Sequence, residues 1–263
     1  MKILNGEELA GYIKERQFLT VREMKEKPHL VIIRDSDNPV ILKYVNLKKE
    51  YGNDIGVIVD DVLASGFDGI RDAILAANTN PDVSGIILQL PIVEKERTEE
   101  LTNLITAKKD VDGLNNSLAE PIFDSATATA INWLLAGYDI NLTDKKIALV
   151  GRGKLVGAPL YRMWTNSGFD VTMFHRGDDL STLRNYNVIV SATGIPHLIN
   201  NSMLCGGAVI VDAGTASEGG ILVGDVANEV RERTDLAAIT PRIGGVGPLT
   251  VTCLFEHVIE SKK

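Results

Sequence analysis

Five polar side chains in the first half of the chain have the types and spacing that acid–base chemistry requires. Tyr44 and Lys48 lie one helical turn apart, Gln89 interrupts an apolar strand near its carboxyl end, and Asp110 and Asp112 follow in a loop. A lysine exchanges protons near neutral pH when desolvation lowers its pKa, an amide can orient it, and a carboxylate can grip a substrate. The pattern indicates a catalytic cluster. For Lys48 alone, a helical lysine that faces solvent is the alternative.

A glycine-rich turn marks the second half of the chain. It runs from Gly151 to Gly157 and follows the apolar segment 146–150. Glycines let the backbone turn tightly and approach a pyrophosphate, and the following helix would supply N–H groups at its N-terminus. The spacing is G-x-G-x-x-x-G, one residue longer than the common dinucleotide fingerprint. It predicts a nucleotide site, with a tight turn that binds nothing as the alternative. The residues assigned to this site are Gly151, Arg152, Gly153, Val156 and Gly157.

Two cations follow the next predicted strand, at His175 and Arg176. An NAD site usually has an acid here to hold the ribose hydroxyls, whereas a cation suits the extra 2′-phosphate of NADP. Arg152 would add a second guanidinium, which recognises phosphate oxygens through paired N–H donors. The sequence therefore favours NADP, with solvated loop residues as the alternative reading of the two cations. Later strands end in small residues that leave room for a nicotinamide ribose, namely Thr193, Gly194 and Thr215.

The apolar pattern assigns the elements that must position these residues. Helices are predicted at about 6–26, 40–51, 68–77, 125–136 and 248–263, and strands at 30–33, 55–59, 84–91, 146–150, 170–174, 187–190, 208–211 and 237–239. The strands are apolar without polar alternation, which is typical of parallel sheets covered by helices on both faces. The chain changes character at a loop over 108–117, so it reads as two successive α/β segments.

Composition excludes several classes of protein. The 263-residue chain is 44% hydrophobic and carries a net charge of −8, which argues against a nucleic-acid surface. Its acidic start lacks a secretory signal, and no apolar stretch approaches the roughly 18 residues that span a bilayer. Cys205 and Cys253 are far apart and give no metal or disulfide signature. We expect a cytoplasmic protein with no metal and no nucleic-acid or membrane partner.

Six ordered segments together resemble the methylenetetrahydrofolate dehydrogenase/cyclohydrolase family. The family motifs and their counterparts are Y-V-x-x-K at 44–48, a strand ending in Q-L-P at 85–91, K-D-V-D-G-F/L at 109–114, G-R-S-x-x-V-G-x-P at 151–159, G-D-V at 224–226 and G-G-V-G-P-M-T at 244–250. Their order is that of the family, and they cover the chain from about residue 30 to residue 255. Six ordered motifs are far more specific than any one of them.

The resemblance implies two reactions in one site. NADP would take a hydride from 5,10-methylenetetrahydrofolate, and water would open the methenyl product to 10-formyltetrahydrofolate. Lys48 would be the general acid/base of the hydrolysis, Gln89 would tune it, Tyr44 would orient the folate and Asp112 would hold the pterin ring. The remaining residues assigned to substrate binding by resemblance are Leu90, Pro91, Gly244, Gly245 and Pro248.

The resemblance also implies the architecture. It predicts two α/β domains with a cleft between them, the second a Rossmann-type parallel sheet. The folate-binding domain would cover residues 1–120, with helix 248–263 packed back on it, and the NADP-binding domain would cover 121–247. A homodimer through the cofactor domain is implied as well. Two loops depart from the family pattern: 121–126 replaces P-C-T-P-x-G, and 242–245 replaces V-P-G-G.

Two other readings are open at this stage. A second type of two-domain NADP dehydrogenase, such as a shikimate dehydrogenase, shares the architecture and also uses a lysine and an aspartate, although its N-V-T-x-P-x-K segment is absent from the chain. A non-catalytic NADP-binding relative would explain the altered loops at 121–126 and 242–243. NADP-linked oxidation of shikimate would favour the first reading, and tight NADP binding without turnover would favour the second.

Overall fold

A computed structural model describes residues 1–218 and 221–263. The chain forms two compact units. One, called here the three-stranded unit, contains residues 11–126 and 251–263, and the other, the six-stranded unit, contains residues 1–10 and 127–250. The first ten residues therefore lie with the second α/β segment, although the sequence groups them with the first.

The described elements alternate along most of the chain. The strands are β1 (Lys2–Ile3), β2 (His29–Arg34), β3 (Ile58–Leu63), β4 (Gly85–Leu88), β5 (Lys146–Val150), β6 (Asp170–Phe174), β7 (Val188–Ser191), β8 (Val209–Asp212), β9 (Ala216–Glu218), β10 (Ile221–Val223) and β11 (Ala238–Ile239). The α-helices are α1 (Gly6–Glu23), α2 (Pro39–Ile55), α3 (Gly66–Thr79), α4 (Thr98–Thr102), α5 (Ala126–Gly137), α6 (Gly157–Asn166), α7 (Asn228–Arg231) and α8 (Val246–Lys262). Short 3-10 turns lie at Lys95–Arg97, Leu180–Asn185 and Asn201–Met203.

The three-stranded unit is built on a parallel sheet of order β3-β2-β4. One face of β2 and β4 packs on α3, where Ile33, Ile74 and Leu88 are almost completely buried. Beyond β4, Ile86 forms a parallel bridge with Asp110, so the loop that carries the acids continues the sheet by one short segment. This pairing fixes the loop beside the carboxyl end of β4.

The six-stranded unit has a wholly parallel sheet of order β1-β11-β8-β7-β5-β6. Chain order reverses between β5 and β7, as it does at the switch point of a doubly wound sheet, where ligands bind outside the carboxyl ends of the strands. The predicted Rossmann-type parallel sheet is confirmed. Its aliphatic strands, with Ile189 and Ile210 fully buried, explain the absence of polar alternation in their sequence.

One predicted strand has the wrong bounds, and three described strands, β1, β9 and β10, are not predicted. The pattern predicts a strand at 55–59, but α2 continues to Ile55 and ends at Gly56, whose φ of 82° is the left-handed cap that glycine favours. Strand β3 consequently starts only at Ile58. Strand β1 is too short for a periodicity argument, and it exists because Lys2 and Ile3 pair with β11.

The structure adds two findings on membrane and metal sites. Within residues 1–218 and 221–263, no helix is long and apolar enough to cross a membrane. In the same described residues, no group of three or more His, Cys, Asp or Glu side chains is placed to hold a metal ion. Cys205 and Cys253 are both free thiols.

Candidate active site

Helix α2 places Lys48 toward the sheet of the three-stranded unit. The helix begins at a cap in which the Asn38 side chain accepts a hydrogen bond from the Val40 amide, with Pro39 at the first position. Its buried stripe contains Ile41, Val45, Gly52 and Ile55, and position 48 falls on the same stripe. The alternative of a solvent-facing Lys48 is therefore wrong, because helical spacing turns this lysine inward.

Gln89 meets Lys48 directly. The residue follows β4 and is 7% exposed, and its backbone N–H donates to Ile33 O at 2.8 Å. Lys48 Nζ donates to Gln89 Oε1 at 2.8 Å, and Gln89 Nε2 donates to Leu90 O at 2.9 Å. The bond to Leu90 O fixes the side-chain amide of Gln89 so that its oxygen faces the lysine. A polar group inside an apolar strand needs a hydrogen-bonding partner, and Lys48 is that partner for Gln89.

The acidic loop approaches the same pair. Ile86 N donates to Lys109 O, and Asp110 is 2% exposed with its carboxylate accepting the Leu114 and Asn115 amides at 3.2 and 2.8 Å. Asp110 thus shapes the loop and is occupied by backbone. Asp112 instead interacts electrostatically with Lys48. Of the two acids singled out by spacing, Asp112 is the one that faces the lysine.

Burial sets the protonation of this cluster. Desolvation lowers the pKa of Lys48, and the Asp112 charge partly opposes this shift. Desolvation raises the pKa of Asp112 to about 6, an effect that Lys48 reduces and the nearby charge of Asp110 increases. Both groups are thereby moved toward neutral pH, where a proton can pass to and from a bound molecule.

The other predicted folate contacts of this unit border the cluster. Tyr44 is 40% exposed, one turn before Lys48 on α2, and offers an open ring face for stacking. Leu90 is partly buried, Pro91 is exposed, and their peptide bond is cis. Leu90 also supplies the carbonyl that holds Gln89. The structure therefore brings Tyr44, Lys48, Gln89, Leu90 and Asp112 into one region of the three-stranded unit.

The glycine turn of the six-stranded unit forms a backbone cradle. Gly151 follows β5 with a φ of 103°, and a Cβ there would lie 2.7 Å from Ala192 O. A Cβ on Gly157 would lie 1.8 Å from Gly151 O, so the helix start and the turn are in direct backbone contact. Gly153 is different, because its nearest atom would be Ala192 O at 4.0 Å. Glycine is thus obligatory at two of the three positions.

Helix α6 begins in this cradle without a side-chain cap. Its N-cap residue, Val156, is buried and makes no capping hydrogen bond, while Arg152 is exposed in the turn. The Ala158 amide donates to Gly153 O at 3.1 Å and Pro159 has no N–H, so the amide that the start of this ten-residue helix can offer an anion is that of Gly157. The residues present therefore fit the diphosphate of a dinucleotide.

Two further turns lie beside the cradle at the carboxyl ends of β7 and β8. The Thr193 amide donates to Asp225 Oδ2 at 2.6 Å, and the Thr193 hydroxyl accepts the Ile195 amide at 3.1 Å. A Cβ on Gly194 would lie 3.8 Å from Thr215 O, which shows that the two turns adjoin. Thr193, Gly194 and Thr215 are therefore gathered at the switch point, as the small-residue pattern predicts.

The end of β6 presents the two expected cations. His175 and Arg176 are both exposed. The His175 amide donates to Asp178 Oδ2 at 2.6 Å, and Asp179 accepts the Ser181 amide at 2.9 Å. Both acids of this loop thus bind backbone amides. The Arg176 guanidinium remains at the surface beyond the strand end, where a 2′-phosphate would lie.

The glycines of the last loop support the start of α1. Gly244 has a φ of 82°, and its carbonyl accepts the Glu7 amide at 3.0 Å. A Cβ on Gly6 would lie 1.8 Å from Gly245 O. Pro248 lies in the first turn of α8. Gly244, Gly245 and Pro248 belong to the six-stranded unit, and Lys48 belongs to the three-stranded unit.

Known proteins resemble the chain over its whole length. Residues 4–112 match the catalytic domain of the tetrahydrofolate dehydrogenase/cyclohydrolase family, and residues 125–263 match its NAD(P)-binding domain. The bifunctional protein FolD of Lactobacillus acidophilus is 35% identical over 98% of this chain and 96% of its own. The FolD crystal structure from Campylobacter jejuni superposes with a TM-score of 0.92 at 30% identity, covering 99% and 98% of the two chains. The Trypanosoma brucei FolD structure with NADP and an inhibitor has a TM-score of 0.89 at 26% identity, covering 98% and 96%.

The chain belongs to the tetrahydrofolate dehydrogenase/cyclohydrolase family.

Membership in the tetrahydrofolate dehydrogenase/cyclohydrolase family confirms the resemblance carried by the six motifs. It makes the chain an enzyme of this family with a catalytic domain and an NAD(P)-binding domain. It also decides between the two dehydrogenase readings, because the matched domains are those of the folate enzymes and not of a shikimate dehydrogenase.

Sequence reasoning missed two acids that shape the NAD(P)-binding domain. Asp225 is fully buried, and its Oδ2 accepts the Ser191 hydroxyl at 2.7 Å in addition to the Thr193 amide. Asp212 accepts the amides of Gly214, Asp225 and Val226 at 3.0 to 3.1 Å. Together these acids hold the turns after β7 and β8. The Gly-Asp-Val segment was quoted as a motif, and a polar residue inside an apolar run is the signal that marks Asp225.

Proposed function

We propose that this enzyme oxidises 5,10-methylenetetrahydrofolate with NADP and hydrolyses the methenyl product to 10-formyltetrahydrofolate. The hydrogen bond between Lys48 Nζ and Gln89 Oε1, with the charge of Asp112 acting on the same lysine, carries this proposal. A desolvated lysine is the group that hydrolysis of a cationic methenyl carbon requires, and family membership supplies the substrate class.

In the hydrolysis, Lys48 is the acid–base group. Water adds to the methenyl carbon while Lys48 Nζ accepts one of its protons, and the same nitrogen returns that proton to the ring nitrogen as the C–N bond breaks. The remaining hydroxyl proton is released to solvent as the formyl C=O bond forms. Gln89 keeps the Nζ lone pair and hydrogens in one orientation, which makes it a positioning residue. Because burial lowers the pKa of Lys48, the neutral amine needed for the first transfer is accessible at lower pH than for an exposed lysine.

Tyr44 and Asp112 bind the folate in this proposal. The exposed ring of Tyr44 stacks on the flat pterin or its aryl extension. The carboxylate of Asp112 accepts hydrogen bonds from the pterin amino and ring N–H groups, and it does so in its ionised form. Since its pKa is about 6, folate affinity should weaken as the pH falls below that value.

The oxidation depends on position more than on a base. Bound NADP supplies the hydride acceptor. The chain's own part is to hold the diphosphate at Gly151, Gly157 and the start of α6, and to keep the turns at Thr193 and Thr215 in shape for the nicotinamide ribose. Arg176, aided by His175 and Arg152, would bind the 2′-phosphate and so select NADP over NAD. Gly153, Val156 and Gly194 complete this proposed site.

Location and partners follow from the same family. The proposed substrates are small tetrahydrofolate derivatives, and the net charge of −8 supports the absence of a nucleic-acid partner. We expect the enzyme in the cytoplasm and as a homodimer formed through the NAD(P)-binding domain. Light scattering on the purified chain measures the second expectation, and a monomer at micromolar concentration would contradict it.

A paired assay on purified protein tests the proposed function. One reaction supplies 5,10-methylenetetrahydrofolate with NADP or NAD, and the other supplies 5,10-methenyltetrahydrofolate alone. We expect NADP reduction in the first and loss of the methenyl compound in the second. Hydrolysis without reduction would show that the altered loops have removed the dehydrogenase. NADP binding by a folded protein with neither reaction would favour the non-catalytic reading.

A further inference from the structure

The loop that carries Asp112 is held from behind by the last helix. On α8, His257 Nδ1 bonds to Val111 O at 2.8 Å, one residue before Asp112. A carbonyl oxygen only accepts, so the proton of the His257 ring must be on Nδ1. One helical turn later, Ser261 Oγ lies 2.7 Å from Ser84 O and 2.8 Å from Lys108 O, and its single O–H is shared between these two acceptors. His257 therefore holds the residue next to Asp112, whereas Ser261 holds the start of the loop at Lys108, four residues before Asp112.

The altered loop at 121–126 completes this support. Phe123 stacks on the His257 ring with centroids 4.7 Å apart and an angle of 20° between the rings. Phe123 is 8% exposed and His257 is 6% exposed, so the stack excludes water from the Val111 hydrogen bond. The family pattern has P-C-T-P-x-G at this loop, and Phe123 is a departure from it. This departure from the family pattern thus introduces the Phe123 ring, which packs on His257.

The backbone around Asp112 is fixed on its other side as well. Asp112 O accepts the Ala126 amide at 3.3 Å. Gly113 has a φ of 67°, and a Cβ there would lie 2.5 Å from the carbonyl carbon of Asp124. The backbone around Asp112 is therefore held between α8 and the 121–126 loop, and the charge of the Asp112 side chain acts on Lys48.

We propose that His257, held by its stack on Phe123, is a positioning residue that sets the Asp112 carboxylate for folate binding. The inference rests on the proposed function, because it assumes that Asp112 grips the substrate. Burial lowers the pKa of His257, against the Val111 hydrogen bond and the charges of Glu260, Glu256 and Asp124, and so favours the neutral ring. The hydrogen bond to Val111 O fixes the tautomer of that neutral ring.

Three variants test the proposal. His257→Leu removes the donor, and His257→Asn restores an N–H at the position of Nδ1. Ser261→Ala removes an equally buried hydrogen bond one turn along the same helix, and serves as the structural control. We expect His257→Leu to raise the KM for both folate substrates roughly tenfold or more, since small displacements of a positioning group have large effects. The KM for NADP should stay unchanged, His257→Asn should recover most of the loss, and Ser261→Ala should lower Tm only.

The outcomes separate the inference from the proposed function. A wild-type protein without either activity would overturn the proposed function, whereas active wild type with folate KM values unchanged in His257→Leu would overturn the inference. Equal KM values in His257→Leu and His257→Asn would overturn it too. If His257→Leu does not fold, Phe123→Leu, which keeps the hydrogen bond and removes the stack, should still raise the folate KM.

The tautomer of His257 can be measured without enzyme turnover by 15N NMR of the histidine ring. It should show the Nδ1–H tautomer for His257 at neutral pH, and the Nε2–H tautomer would contradict the assignment.

Discussion

The two units contain buried ionic clusters of opposite character. In the three-stranded unit, Lys48 has one hydrogen bond to a neutral amide, and Asp112 acts on it electrostatically. In the six-stranded unit, Arg231 bonds to Asp212 Oδ2 and to Thr240 O, each at 2.6 Å. Asp212 also accepts three backbone amides. The first cluster has a single hydrogen bond to Lys48, whereas in the second cluster four hydrogen bonds to Asp212 fix the backbone, although burial raises the pKa of Asp212 as well.

This difference matches the chemistry of each unit. Hydrolysis needs a group that gains and loses a proton, so burial without full compensation is useful at Lys48. Cofactor binding needs a rigid frame of amides, and there an acid that accepts several hydrogen bonds is useful because it fixes the backbone around it. We therefore expect that removing the titrating lysine affects mainly the hydrolysis. Adding a side chain to the glycine turn should affect mainly the oxidation.

The largest difference between the two activities is expected for Lys48→Met. Without its acid–base group the cyclohydrolase should lose on the order of 10²–10⁴-fold in kcat, the usual contribution of such catalysis. The dehydrogenase should persist, because hydride transfer requires no side-chain base. Progress curves with each folate substrate measure both effects. Lys49→Met is the matched control, since Lys49 is the exposed neighbour, 45% exposed in its side chain and 3.9 Å from Asp61. Survival of both activities in Lys48→Met would remove Lys48 from the mechanism.

The opposite result, a weakened dehydrogenase with an unchanged cyclohydrolase, is expected for Gly157→Ala. The new Cβ would lie 1.8 Å from Gly151 O, so the cradle must open and its amides must leave the diphosphate. The KM for NADP should rise roughly tenfold or more, while hydrolysis of the methenyl compound, which needs no cofactor, continues. Gly153→Ala is the control in the same turn, because its Cβ would have no neighbour closer than 4.0 Å. Equal effects of the two alanines would show that the cradle geometry is not what binds the cofactor.

A smaller effect, on stability, is expected for Asp112→Asn. The pKa of Asp112 is raised from 3.8 to about 6, so the folded state binds a proton more tightly than the unfolded chain. Stability from this group is therefore present at low pH and is lost as the pH rises from about 4 to about 6. The variant should be more stable than wild type at pH 8 by about 1–3 kcal/mol. The difference should disappear near pH 4, while folate turnover falls at every pH.

Urea unfolding of both proteins across this pH range measures the difference. The exposed Asp82→Asn is the control for loss of one negative charge in the same unit. A variant less stable than wild type at pH 8 would show that the ionised Asp112 is compensated, and would erase the contrast between the two clusters.

Much of the secondary structure could be predicted, because the local sequence pattern of these segments agrees with their position in the fold. Strands β5 and β6 have the predicted bounds, since β5 is a short apolar run and β6 alternates polar and apolar residues between turn residues. The inward direction of Lys48 was also available from sequence, because position 48 continues the stripe of Ile41 and Val45. Reading the residue alone, without its helical neighbours, favoured the solvent-facing alternative.

The remaining features depend on partners that are remote in sequence. Asp225 matters because it meets Ser191, 34 residues earlier, and His257 matters because it meets Val111, 146 residues earlier. No periodicity encodes such pairs. The end of α2 illustrates a local failure of the same kind, because the apolar run at 55–59 reads as a strand until the left-handed Gly56 is known to stop a helix there.

The smallest expected effect concerns cofactor choice at Arg176. The side chain is exposed beyond β6, so its bond to a 2′-phosphate would be partly screened by solvent. Arg176→Gln should lower the ratio of kcat/KM for NADP over NAD by about tenfold, equivalent to roughly 1.4 kcal/mol, with no change in the cyclohydrolase. Lys145→Gln is the matched control, because Lys145 is also exposed but precedes β5, at the amino end of the sheet. A ratio that stays at the wild-type value in Arg176→Gln would place 2′-phosphate recognition on Arg152 or His175, and the double variant Arg152→Gln/His175→Gln should then lower it.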